Sequence, residues 1–294
     1  MRTPHSMTDG GPAVARSDSP TKGRIASLIR RMEEMPSHPT VSMRVVRMTD
    51  DPRTTLNSLA EAIELDPILS AQLLRIANSA YYSLRTPVAN VPRAVTVLGF
   101  STVRALAAAA SSGLRHSEHP IPLRFWQHSA AVANACQLIS TRYDVPTNDA
   151  FALGLLHDLG SGLLYMTDPT AWVEIERTGV VGGELEIELF GVTHQVIGSR
   201  VLEAWRFPRE FCDAVARHHQ PLSPREASFT RCLIAGQMVA SLALESVVDE
   251  RAAVHREVLL EHDFDDAQLE RIIDRVAVEY GALAAVLAET VGAS

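Results

Sequence analysis

Residues 154–160 read GLLHDLG, a charged pair in the middle of an apolar run. Leu153, Leu155, Leu156 and Leu159 surround the adjacent pair His157-Asp158. An ionised carboxylate inside an apolar run is costly to bury without a partner. That partner is either a metal ion or a set of hydrogen bonds, and the rest of the chain has to supply it.

Three further segments carry ligand-type side chains on apolar helical faces. In LRFWQHSAAVANACQLIS, residues 123–140, Phe125, His128, Val132, Ala135 and Ile139 recur at spacings of three or four. In FGVTHQVIGSRVLEAW, residues 190–205, His194, Ile197, Val201 and Trp205 share one stripe. In PREFCDAVARHH, residues 208–219, Phe211 and Val215 lead to His218 or His219. One inward histidine is ordinarily a hydrogen-bonded core residue. Four helices that each turn one inward would need four separate buried acceptors, whereas a shared site at the bundle centre serves them together. Imidazole nitrogens and a carboxylate oxygen suit a divalent transition metal. The candidate ligands are therefore His128, His157, Asp158, His194, His218 and His219.

Working outward, almost every segment after residue 23 has helical period, and no segment alternates as a strand does, so the chain reads as all-α. IASLIRRM places Ile25, Leu28, Ile29 and Met32 on one face. Asp66-Pro67 opens DPILSAQLLRIANSAYY with Asp as N-cap and Pro at the first helical position. Ser101 opens STVRALAAAASS in a similar way. Asn78, Tyr81 and Tyr82 close their helix as capping and packing residues. The Ser-, His- and Pro-rich stretch SSGLRHSEHPIP, residues 111–122, links a first helical lobe, 23–112, to a second, 123–248. Residues 249–294 form a helical extension. Its stripe of Leu269, Ile272, Ile273, Val276, Tyr280 and Leu283 is expected to dock on one of the two lobes. EVLLEHDFDD, residues 257–266, contains a second His-Asp pair but no apolar surround, and reads as a surface loop.

Composition narrows the partners. Lys+Arg total 27 against Asp+Glu 35, a net charge of -8, which argues against a broad nucleic-acid-binding face. Aromatics at 5% supply no stacking platform for single strands. Cys136, Cys212 and Cys232 lack zinc-ligand spacing and read as reduced core thiols of a cytoplasmic protein. ALAAAASSG at 105–113 is too short to cross a bilayer, so no membrane partner is expected. Residues 1–22, mixed in Gly, Pro, Ser and charge, read as a disordered tail.

His128 followed by His157-Asp158 in a LLHDLG setting resembles the HD superfamily of metal-dependent phosphohydrolases, and HQVIG at 194–198 and HHQ at 218–220 resemble the later histidine segments of the HD-GYP phosphodiesterases. The N-terminal half is similar to a narrower relative. PSHPTVSMRVVRMTDDP, LAEAIELDPILSAQLLRIANSAYY and VANVPRAVTVLGFSTVRALA resemble the opening of an HDOD domain, the HD-related output domain of bacterial signalling proteins. FWQHSAAVANA, LGLLHDLG, ELFGVTHQVIGSRVLEAWRFP and AVARHHQP fit the same family, so the resemblance runs from about residue 36 to about 245. It implies an HDOD architecture over 23–248, two packed helical lobes of which the second is a degenerate HD-like bundle. It also implies a noncatalytic regulatory module in signal transduction that acts through signalling protein partners.

The departures from the hydrolases bear on this choice. Those enzymes carry a final Asp ligand where this chain reads LIAGQMVASL, with Gly236 or Gln237 at the expected place. The HD-GYP enzymes carry an acidic residue one turn before the first histidine, where this chain has Arg124, and a Glu after the histidine pair, where it has Gln220. Fewer carboxylates and a nearby guanidinium disfavour a cation by Coulomb repulsion. An Arg124–Asp158 ion pair is the expected substitute. These residues predict a vestigial metal site, with no tightly bound cofactor beyond a weakly held divalent ion. The alternative is a metal-dependent phosphohydrolase or phosphodiesterase acting on a nucleotide or cyclic dinucleotide through the six retained ligands.

Overall fold

The computed structural model describes residues 41–79, 82, 84–112, 121–178, 183–244 and 250–291. The expected tail at 1–22, the face built on Ile25 to Met32, Tyr81 and most of the linker stretch lie outside the described residues. Among the described residues there is no strand, and the all-α expectation holds.

The first group of helices is α1 (Val41–Met48), α2 (Leu56–Glu64), α3 (Pro67–Ala77) and α4 (Val91–Ser111). Their starts follow from local chemistry. Thr55 and Ser58 form a reciprocal capping box at the head of α2. The Asp66 carboxylate accepts from Leu69 N at 3.1 Å, the N-cap role expected of it. At the other end of α3, the Asn78 amide donates to Leu74 O at 2.9 Å and Val88 O at 2.8 Å, and its oxygen accepts from Val88 N at 2.6 Å. One side chain thereby closes the helix and ties down the following loop. Helix α4 breaks at Gly99, where φ is 75° and ψ is 162°, and restarts at the Ser101 segment. It is the one described helix long and apolar enough to cross a membrane by composition, but most of that window is buried inside the protein, as in a core helix.

The histidine-bearing helices are α5 (Leu123–Ile139), α6 (Thr147–Leu156), α7 (Leu159–Thr167), α8 (Pro169–Thr178), α9 (Glu184–Phe190), α10 (His194–Ala204), α11 (Arg209–Arg217) and α12 (Ser228–Leu244). Ala150 to Leu156 are all buried, so α6 is apolar on every side and sits at the centre, against α5, α4 and α12. One continuous apolar core runs through both groups of helices. Buried Arg104 of α4 reaches across the groups. Its Nη2 donates to Trp205 O at 3.0 Å and to Arg206 O, its Nη1 pairs with Asp50 at 3.3 Å, and its guanidinium lies 4.2 Å over the Phe207 ring.

The extension comprises α13 (Glu250–His262) and α14 (Asp266–Val291). Leu269, Val276 and Leu283 are buried, and Ile272, Ile273 and Tyr280 pack against the core, as the stripe predicts. Docking is not confined to one lobe: α14 lies along α5 and α12 and also reaches α3. The surface-loop reading of 257–266 is corrected as well. Asp263 is buried at its carboxylate, which accepts from Tyr143 OH at 2.8 Å and pairs with Arg231 at 3.2 Å. Its apolar surround comes from distant segments, out of reach of a local pattern.

Candidate metal centre

The two glycines that bracket GLLHDLG let two pairs of helices meet closely. A Cβ on Gly154 would lie 2.7 Å from Ala133 Cα and Val132 O, so α5 and α6 cross at a distance only glycine permits. A Cβ on Gly160 would collide with His194 O, so the start of α7 abuts the start of α10. The first contact brings His128 to His157, and the second brings His194 to Asp158.

The six residues predicted as ligands converge. His128 Nε2 lies 3.2 Å from His157 Nε2, and His194 Nε2 lies 3.1 Å from His218 Nε2, 3.0 Å from His219 Nε2 and 3.5 Å from Asp158 Oδ1. The His157 and His218 rings are 5.3 Å apart and join the two halves. Two triads, His128–His157–Asp158 and His194–His218–His219, each have ligand atoms within 4.8 Å of one another. His157, His194 and His218 are buried, His128 is half-buried, and His219 is the member open to solvent.

Backbone carbonyls fix which nitrogen of two rings is free to bind, and a buried carboxylate fixes a third. His157 Nδ1 meets Gly154 O at 2.7 Å and His218 Nδ1 meets Val215 O at 2.6 Å. A carbonyl oxygen only accepts, so each Nδ1 carries the proton and each Nε2 presents a lone pair to the centre. His194 Nδ1 donates to Glu186 Oε1 at 2.9 Å, with the same result. Lone pairs held 3.1 Å apart repel unless a cation or a proton lies between them, and this donor set suits a divalent ion. Burial pushes His157 down to about 3, ahead of the effects of its charged neighbours, and burial likewise lowers His128 and His218. These rings are neutral ligands at neutral pH. Burial works to raise Asp158, but the facing imidazoles, His194 first, outweigh it and hold the carboxyl well below the ordinary carboxylate range. Ser161 Oγ donates to Asp158 Oδ1 at 2.6 Å and orients it.

Three details depart from the sequence reading. Arg124 does not pair with Asp158; it contacts Glu176, whose carboxylate lies within reach on α8. Between the two residues that stand in for the missing Asp, Gly236 packs against Cys136, while Gln237 lines the cavity and donates from Nε2 to His218 O at 3.2 Å. The third is Glu186, fully buried, which binds both Nδ1 and the backbone N of His194. Such a carboxylate behind a ligand histidine fixes its tautomer and ring orientation, and adds anionic charge to a site short of carboxylate ligands. No local signal marks it, because the segment reads ELEIELF and Glu186 is one of three glutamates that alternate with apolar residues.

In front of the triads opens a cavity of about 790 Å³. His128, His157, Asp158, His218 and His219 form its floor, and Trp172 forms part of its wall.

Comparison with known proteins follows the same lines. The HDOD domain family model matches residues 35–221, more than half of the chain. An uncharacterized protein of Treponema pallidum (strain Nichols) is 22% identical over 209 residues, 68% of this chain and 41% of that protein. The chain therefore spans less than half of that curated relative's length. A candidate phosphohydrolase from Shewanella amazonensis SB2B has a similar fold, with a TM-score of 0.67 at 24% identity, over 90% of this chain and 98% of that one. An HDOD domain protein of unknown function from Geobacter sulfurreducens gives 0.64 at 22% identity, over 91% and 98%. The chain belongs to the HDOD domain family.

Proposed function

We propose that this chain is a noncatalytic regulatory module of bacterial signalling, cytoplasmic, whose histidine centre holds a divalent cation as a structural or sensing element and whose output passes to a protein partner. The observation that carries this reading is the set of Nε2 lone pairs turned toward the paired triads by Gly154 O, Val215 O and Glu186. His128, His157 and Asp158 would hold an ion on one side, and His194, His218 and His219 on the other. When bound, the ion supplies a Lewis-acidic centre at the floor of the cavity.

The absence of turnover rests on the wall. A hydrolytic centre needs carboxylates to offset the metal charge and to prepare a water. Here Asp158 is the sole carboxylate among the six candidate ligands, and Gln237, a neutral amide, takes the place of the final acid. The phosphohydrolase reading keeps one point in its favour, since Glu186 restores some of the anionic charge. Metal analysis of the purified chain together with a phosphodiesterase panel separates the two: bound metal without turnover supports the regulatory reading, and turnover dependent on Asp158 supports the enzyme.

A further inference from the structure

Helix α14 has two ordered faces, and the packing of the chain uses one of them. Leu269, Val276 and Leu283 are turned inward and buried. On the other side Ala267, Arg271, Asp274, Val278, Gly281 and Ala285 are all exposed and follow one another at alternating spacings of four and three. That spacing is a heptad seam, the pattern by which one helix packs along another. Val278 is 82% exposed, more than any other large apolar side chain among the described residues. A Cβ on Gly281 would meet nothing within 4 Å, so the seam stays open beyond it. Beside the seam, between α14 and the end of α5, runs a groove of about 940 Å³ lined in part by Leu138, Phe264, Ile272 and Val278.

The charges of α14 say what covers this face. On the flanks they are matched within the chain: Glu270 pairs with Arg256 of α13, and Arg275 Nε pairs with Glu279 at 2.9 Å. On the seam itself, Arg271 and Asp274 form no ion pair among the described residues. They stand one turn apart with opposite signs. A two-fold axis level with the midpoint between Ile272 and Ile273 turns the stripe onto itself. In an antiparallel pair of α14 helices it sets Arg271 against Asp274 of the second copy, and Asp274 against Arg271. The same axis sets Ala267 against Val278 in the two outer layers. Each layer is then complementary, two of opposite charge between two that are apolar. A parallel pair would instead set each arginine and each aspartate against its own kind, which is repulsive. We infer that the outer face of α14 is a homodimer interface, occupied by the same helix of a second copy in the antiparallel register. Four layers of one helix pair lie at the small end of specific contacts, below about 1,200 Å² in total, so a dissociation constant of about micromolar order is expected.

Sedimentation equilibrium of the full chain from about 1 to about 200 μM is expected to show a monomer–dimer equilibrium. Arg271→Asp and Asp274→Arg each place like charges in both inner layers, and each is expected to weaken association by at least about tenfold. The double variant exchanges the two charges and is expected to dimerise as the wild type does. An equimolar mixture of the two single variants is expected to form a heterodimer, because one supplies two acids and the other two cations at the matching levels. Both sites are exposed in the single chain, so melting at concentrations where every protein is monomeric should be unchanged. A monomer at every concentration overturns the inference. Dimerisation that neither single variant weakens places the contact elsewhere and overturns it too. Loss in both single variants with no recovery in their mixture overturns the antiparallel register.

Discussion

Glu186 holds His194 at two points: Oε1 lies 2.9 Å from the ring Nδ1 and Oε2 lies 2.7 Å from the backbone N, with both residues fully buried. A carboxylate on one helix thereby sets the tautomer, the orientation and the backbone position of a ligand on the next. Glu186→Gln keeps the size and part of the hydrogen bonding but removes the charge. Metal affinity is expected to fall by about 10–100-fold, measured by competition against a chelating dye. An affinity within twofold of wild type would separate Glu186 from the centre.

Gln237 and Gly236 should respond in opposite ways. Gln237 faces the cavity, so Gln237→Asp adds an anionic oxygen to the floor and is expected to tighten metal binding. A Cβ at Gly236 would collide with Cys136 Sγ, so Gly236→Ala is expected to cost about 1–3 kcal/mol by overpacking, read from denaturant midpoints, without changing the ligand set. Tighter metal in a Gly236 variant would contradict this placement.

Acid should destabilise the metal-free chain through the buried rings. The unfolded chain protonates His157 near 6.5, whereas the folded chain keeps it neutral down to about 3. Its contribution is fully present above 6.5 and is lost as pH falls from there toward 3, at about 1.4 kcal/mol per pH unit. Asp158, held low, works in the same direction below 3.8. Between pH 7 and pH 5 the wild type should lose about 2 kcal/mol more than His157→Gln from this one ring. Parallel pH profiles for the two proteins would refute the assignment.

How much of this was legible in the sequence depends on the range of each contact. The apolar stripes under His128, His194 and His218 repeat at three and four, so helices and inward faces can be read directly. The convergence of six ligands is likewise readable, because four buried polar groups call for one solution. Glu186 is not: it serves His194 from a different helix, and no spacing rule links the two. Charge and fork geometry point Arg124 toward Asp158, but its partner is Glu176 on α8, which no spacing rule links to it. Asp263 read as surface because its neighbours in the chain are acidic, whereas its partners Tyr143 and Arg231 stand 120 and 32 residues away.

The Asp263 contacts give a further expectation. Asp263→Ala strands the Tyr143 hydroxyl and the Arg231 guanidinium, and should cost about 1.5–3 kcal/mol in thermal or denaturant unfolding. Because α13 loses its anchor, protease cleavage within 250–265 should also speed up. An unchanged stability and digestion pattern would show that the extension is held by the stripe of α14 alone.

A metal centre without turnover makes a paired assay decisive. The purified full chain is analysed for bound divalent metal and, in the same preparation, for hydrolysis of a phosphodiester panel that includes nucleotides and cyclic dinucleotides, beside Asp158→Ala. The expected result is near-stoichiometric metal in the wild type, reduced metal in Asp158→Ala, and no hydrolysis above background in either. Hydrolysis by the wild type that Asp158→Ala abolishes would instead make the histidine centre an active site.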